Sequence, residues 1–172
     1  MKAALRVLNE LVEEGSLGQY AIGGAMGALF YAEPVMTFDL DIFVVLPKSE
    51  SGLITLEPLY EALRRRGYAP GEYVMIEDVP VQFLPAYNAL LEEALAKARP
   101  DEVEGVPTRI LMVEHLIAIA VQTGRPKDRE RVRILLKEGN PDRSALEDIC
   151  KRHNLKPPTL DNGEAPWTPL KL

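Results

Sequence analysis

Cysteine is almost missing from this chain. Cys150 is the single thiol in 172 residues, so no internal disulfide can form, as expected of a cytoplasmic protein. Long apolar runs are missing too: none approaches the length that crosses a bilayer, and Met1-Lys2-Ala3-Ala4 lacks the opening of a secretory signal, so no membrane partner is expected. Positive charge is not in excess. The formal net charge of −6 argues against broad electrostatic binding of nucleic acid and leaves room only for a local basic groove. Histidine is scarce, and His115 and His153 lie far apart without metal-ligand spacing, so both read as ordinary surface or half-buried side chains. There is no internal repeat. The remaining composition, 47% hydrophobic and 27% charged, is that of a globular domain with a real core and room for a small helical extension.

The informative stretch runs from Tyr20 to Val45. Tyr20-Ala21-Ile22 is a short apolar run that leads into Gly23-Gly24, and a helix of small residues is expected from Ala25 to Tyr31, broken by Pro34. Thr37-Phe38 then opens a run of strand formers carrying Asp39 and Asp41. Residues two apart on a strand share a face, so Phe38, Leu40 and Ile42 turn to a core while two carboxylates stand side by side. Like charges that close call for a cation between them, and magnesium, or manganese, suits one or two carboxylates plus phosphate oxygens. The glycine pair before a helix lets backbone N–H groups approach a phosphate. Alone, each half is an ordinary turn or a polar strand end. Together they predict a site for a metal-bound nucleoside triphosphate.

Gly23-Gly24, the helix, and Asp39-Leu40-Asp41 on a strand resemble the pattern of the nucleotidyltransferase superfamily of the DNA polymerase beta type. Thr37 before the acids and the later run Arg125-Pro126-Lys127-Asp128 are most similar to the AbiEii-like branch of small bacterial proteins, often the toxin half of a toxin–antitoxin pair. The resemblance spans about Gln19 to Leu136. It implies an α+β fold, a mixed sheet with helices packed on it and a small helical part behind. It also implies catalytic and metal-holding roles for Asp39 and Asp41, and nucleotide-binding roles for Gly23, Gly24, Thr37, Arg125, Lys127 and Asp128. The acceptor of the nucleotidyl group would be RNA, protein or a small molecule, and an antitoxin chain would be a partner.

Two positions depart from the family. A third carboxylate is expected on the strand paired with the Asp-x-Asp strand, and Gln82 stands there; a lysine is expected in the helix before the Arg-x-Lys-Asp run, and Ala120 stands there. Gln82 can accept a hydrogen bond but cannot take a proton. The alternative reading is therefore a catalytically degenerate member that binds a nucleotide or a partner chain. A sugar-nucleotide glycosyltransferase built on Asp-Leu-Asp is disfavoured, because the chain is short for a donor domain of the Rossmann type.

The rest reads as scaffold. Helices are expected at Lys2–Glu14, Leu56–Arg66 (capped by Thr55), Tyr87–Ala98 (ended by Pro100), Glu114–Thr123 and Asp142–Arg152, with a further one opened by the run 124–128 and reaching Lys137. Tyr73–Ile76 and Val79–Leu84 form a hairpin about Glu77-Asp78, and 103–111 is an edge strand or a loop. A core over 1–111, a helical part over 112–153 and a proline-rich tail over 154–172 follow. Trp167 would anchor the tail on the body or on a second copy of the chain, and the polar loop 47–52 would move over a substrate.

Overall fold

In the computed structural model, residues 1–33, 37, 39–45 and 55–159 are described. Pro34, Phe38, the loop 47–52 and Trp167 lie outside the described residues.

Alternation decides the sheet. Val74, Ile76, Val81, Leu40, Ile42 and Ile22 are fully or almost fully buried on one face, while Met75, Gln82, Asp41 and Phe43 fall between them on the other. The strands are β1 (Tyr20–Ile22), β2 (Leu40–Val44), β3 (Val74–Ile76), β4 (Val79–Pro85), β5 (Arg99–Val103) and β6 (Val106–Ile110), in the order β3-β4-β2-β1-β6-β5. The sheet is mixed: β2 runs antiparallel to β1 and parallel to β4, and β1 runs parallel to β6. Glu77 and Asp78 both take positive φ, which closes β3 onto β4 through a two-residue turn of the hand that hairpins favour.

Helices cover both faces. α1 (Lys2–Glu13) and α3 (Glu57–Arg65) bury Leu5, Leu8, Leu59 and Leu63 against the first face. On the second face α4 (Ala89–Ala96), α5 (Val113–Thr123), α6 (Pro126–Glu138) and α7 (Arg143–Arg152) form a cluster with Ala21 and Phe43 of the sheet. α5 is apolar nearly all round, and it is buried accordingly. α2 (Gly24–Ala28) is the short helix between β1 and β2.

The structure corrects three local expectations. The small-residue helix ends at Ala28 rather than Tyr31, and 29–31 form turns. The segment 103–111 is not a loop, and only its first residue belongs to an edge strand: it holds the whole of β6, an inner strand between β1 and β5. Pro100 does not merely stop α4 but sits inside β5, the true edge, where a missing N–H is tolerated. The two histidines, remote in sequence, also meet. Nε2 of His115 lies 3.3 Å, and Nε2 of His153 2.8 Å, from the Glu93 carboxylate, which also accepts from Arg152 and Lys97. Burial alone would raise the Glu93 pKa, but hydrogen bonds from Arg152, His153, Lys97 and His115 hold it well below the usual range. The knot ties α7 to α4 and α5.

Candidate nucleotide site

A cavity of about 850 Å³ lies between the second face of the sheet and helices α2, α5 and α6. Its floor is one set of strand positions. Asp41 pairs with Gln82 across β2 and β4, and Phe43 with Leu84 two residues on, so all four side chains share the cavity face. Leu40 and Ile42, between them, point into the opposite core, as the strand reading requires. Asp39 lies one residue before β2 and also lines the cavity, with Thr37 Oγ1 donating to its Oδ1 at 2.6 Å.

The glycine pair is pressed against this floor. Gly23 N–H donates to the Asp41 carbonyl at 3.0 Å, and Gly24 takes φ +56. A Cβ on Gly24 would fall 1.6 Å from Asp41 Oδ2, so only a residue without a side chain lets the short helix pass over that carboxylate.

The wall opposite is cationic. Gly124, left-handed at φ +65, ends α5, and Pro126 opens α6 two residues later. This tight corner brings Arg125 and Lys127 to the cavity edge. Asp128 in the first turn is fully buried and accepts from Arg125 Nε at 2.6 Å, Arg125 Nη2 at 3.2 Å and Arg131 Nη1 at 3.0 Å. It therefore fixes two guanidinium groups rather than offering a free carboxylate.

Electrostatics join floor and wall. Burial first, and then the neighbouring Asp39 charge, push the Asp41 pKa up; Arg131, Lys127 and Arg125 pull it back. A carboxylate held up in this way is a latent cation ligand, since a dication removes both causes of the strain. Because the folded chain binds the Asp41 proton more tightly than the unfolded chain does, stability from this group falls as pH rises through the raised value. Asp41→Asn should therefore melt at a higher temperature than the wild type at pH 7, and the gain should shrink as pH falls through that value. Thermal melts at a series of pH values check this, and a variant less stable at pH 7 would contradict it.

No protein-family profile matches the chain, and no curated protein sequence matches it. Solved structures do. The crystal structure of ANT(2'')-Ia in complex with adenylyl-2''-tobramycin superposes with a TM-score of 0.51 at 18% identity, covering 87% of this chain and 96% of that one. The solution structure of the antibiotic-resistance factor ANT(2'')-Ia gives 0.52 at 18% identity over 88% and 89%. An antigenic nucleotidyltransferase-like protein from Paracoccidioides brasiliensis gives 0.52 at 13% identity, over 89% of each chain. The chain has the nucleotidyltransferase fold.

Within that fold, all the residues singled out from sequence gather at one cavity except Gly23, which sits directly behind Gly24. Gln82 faces Asp41 in register, and Ala120 of α5 lines the same space. Two further residues join them. Arg131 heads the cations acting on Asp41, and its spacing of three from Asp128 on one helix was the available signal. Tyr73, one residue before β3, lines the cavity and is 41% exposed. Burial, together with the charges of Asp39, Glu72 and Asp41, holds its phenol above the ordinary value.

Proposed function

We propose that the protein binds a magnesium- or manganese-bound nucleoside triphosphate in this cavity and transfers its nucleotidyl group to a hydroxyl acceptor. One observation carries the reading: two adjacent carboxylates, one strained by burial and repulsion, face three cations across a cavity roofed by a glycine pressed against the acid. The donor set fits the metal. Asp39 and Asp41 would hold it, with the Gln82 carbonyl beside them. Among the described residues no group of three or more His, Cys, Asp and Glu side chains is gathered to hold a metal, so water and phosphate oxygens would complete the shell, as magnesium prefers. When bound, the ion would neutralise charge on the phosphates and on the leaving pyrophosphate.

The chain's own groups then divide the work. Arg125, Lys127 and Arg131 bind phosphate oxygens from the α6 side, with Asp128 keeping two of them in place. Gly23 and Gly24 let the chain carry the first N–H groups of α2 over the acids, and the Thr37 hydroxyl orients Asp39. The apolar walls from Ala28, Leu116 and Ile119 exclude water. Thr37 and the Arg-x-Lys-Asp run support placement in the AbiEii-like branch, which would make an antitoxin chain a partner and RNA or protein an acceptor. A small-molecule acceptor, as in the ANT(2'')-Ia complex, is equally compatible with the cavity's volume.

A second reading rests on Gln82 opposite Asp41: a module that binds the nucleotide without turning it over. Isothermal titration with a panel of nucleoside triphosphates, with and without magnesium, beside an assay of released pyrophosphate, separates these readings. Magnesium-dependent binding that vanishes in an Asp39→Ala, Asp41→Ala double variant is expected. Binding without pyrophosphate release would favour the degenerate module, and no binding by the wild type would remove both readings.

A further inference from the structure

The rung of the sheet that carries the acid ends at Gln82, and a tyrosine stands next to it. Val74 pairs with Val81, and Met75 with Pro80, across β3 and β4. Tyr73, the residue before Val74, lies just off the end of that ladder on the side of Gln82, which is itself opposite Asp41. Asp41 and Gln82 thus stand side by side on adjacent strands, Tyr73 sits just before the next strand, and all three line the cavity. The charges of Asp39 and Asp41 both act on the Tyr73 phenol, which puts it on the acids' side of the cavity.

Among the described residues, the hydroxyls lining the cavity belong to Thr37, Tyr73, Tyr87 and Thr123. Thr37 is committed to Asp39, and Thr123 donates to the Ile119 carbonyl within its own helix. Tyr87 lies beyond the far end of β4, past Pro85. Tyr73 is the one beside the acid rung, and it is open to solvent.

We propose that Tyr73 Oη is itself an acceptor, so that the protein nucleotidylates its own cavity mouth. The inference rests on the nucleotidyl-transfer reading above and adds an acceptor class to it, a phenol. In the step, Oη attacks the α-phosphorus of the bound triphosphate. The Oη–P bond forms as the bond from that phosphorus to the α,β-bridging oxygen breaks, the electron pair leaves with pyrophosphate, and the phenolic proton passes to water at the open mouth. Nothing is oxidised or reduced. The chemistry also answers the departure at Gln82. Although Tyr73 is held above the ordinary phenol value of about 10, a phenol still loses its proton more readily than an alkyl hydroxyl and so needs a carboxylate base less. The Gln82 amide lines the same cavity and would donate a hydrogen bond to the attacking oxygen. Once modified, Tyr73 would carry a bulky anion in the mouth and close the site to other acceptors.

The test is intact-mass and peptide-mapping spectrometry after incubating the full chain with each of the four ribonucleoside triphosphates and magnesium, beside calorimetric binding of the same nucleotides. The expected result is a mass gain of one nucleotidyl group, mapped to Tyr73, lost from Tyr73→Phe and Asp41→Asn, and kept in Tyr87→Phe. Unchanged melting of Tyr73→Phe shows that its loss is not unfolding. Nucleotide bound with no gain in mass, or a gain that persists in Tyr73→Phe, overturns this inference and leaves the binding reading standing. No nucleotide bound at all overturns both.

Discussion

Gly24→Ala is expected to weaken magnesium-dependent nucleotide binding by about 10–100-fold, the scale seen when the supports of metal ligands are disturbed. The added methyl group would have to occupy the place of Asp41 Oδ2, 1.6 Å away. Two outcomes are open to the chain: the carboxylate swings out of the cavity, or α2 lifts from the sheet. The first separates the acid from its neighbour Asp39, and the second takes the α2 N–H groups away from both acids. The positive φ of Gly24 adds strain of about 1 kcal/mol for any residue with a Cβ. That cost is small beside the 5–15 kcal/mol by which domains are usually stable, so the variant should still fold. Calorimetric titration beside a thermal melt separates the two effects. A folded variant that binds as tightly as the wild type would show that the contact between Gly24 and Asp41 has no part in the site.

Asp128→Ala is expected to cost stability rather than only binding, by about 3 kcal/mol. The carboxylate is fully buried and is the shared acceptor of Arg125 and Arg131. Its loss strands Arg131, whose side chain is only 15% exposed, while Arg125, 54% exposed, can rehydrate; the lower end of the usual range for a broken buried pair therefore applies. Urea denaturation should show the midpoint falling at unchanged slope. Asp128→Asn keeps an acceptor oxygen and should lose less. Equal stability of the alanine variant and the wild type would mean that the α6 corner is held by packing alone.

Local pattern carried much of this into the sequence. β1, the β3–β4 hairpin and α5 were legible because each has the period, the glycine stop or the turn that its geometry needs, and Tyr20–Ile22 was read to the residue. β5 was not, because Arg99-Pro100-Asp101-Glu102 is polar and contains a proline, features an edge strand paired on one side can carry. At the site, linear motifs pointed to Asp39, Asp41, Gly24 and Arg125, and counting along the strand reached Gln82. Arg131 was signalled only by its spacing of three from Asp128, whereas Tyr73 was out of reach because its place depends on how β3 packs beside β4. The meeting of His115 and His153 at Glu93 was hidden for the same reason.

The tight corner between α5 and α6 also sets when the site comes into being. Asp39 and Asp41 are synthesised early, in the first quarter of the chain, whereas Arg125, Lys127, Asp128 and Arg131 leave the ribosome much later. A nascent chain that has made the sheet but not α6 holds two repelling acids with no cations across from them. Such a chain should bind nucleotide poorly while it is still being translated, and its chemistry would begin only when the helix that balances the acids has folded against them.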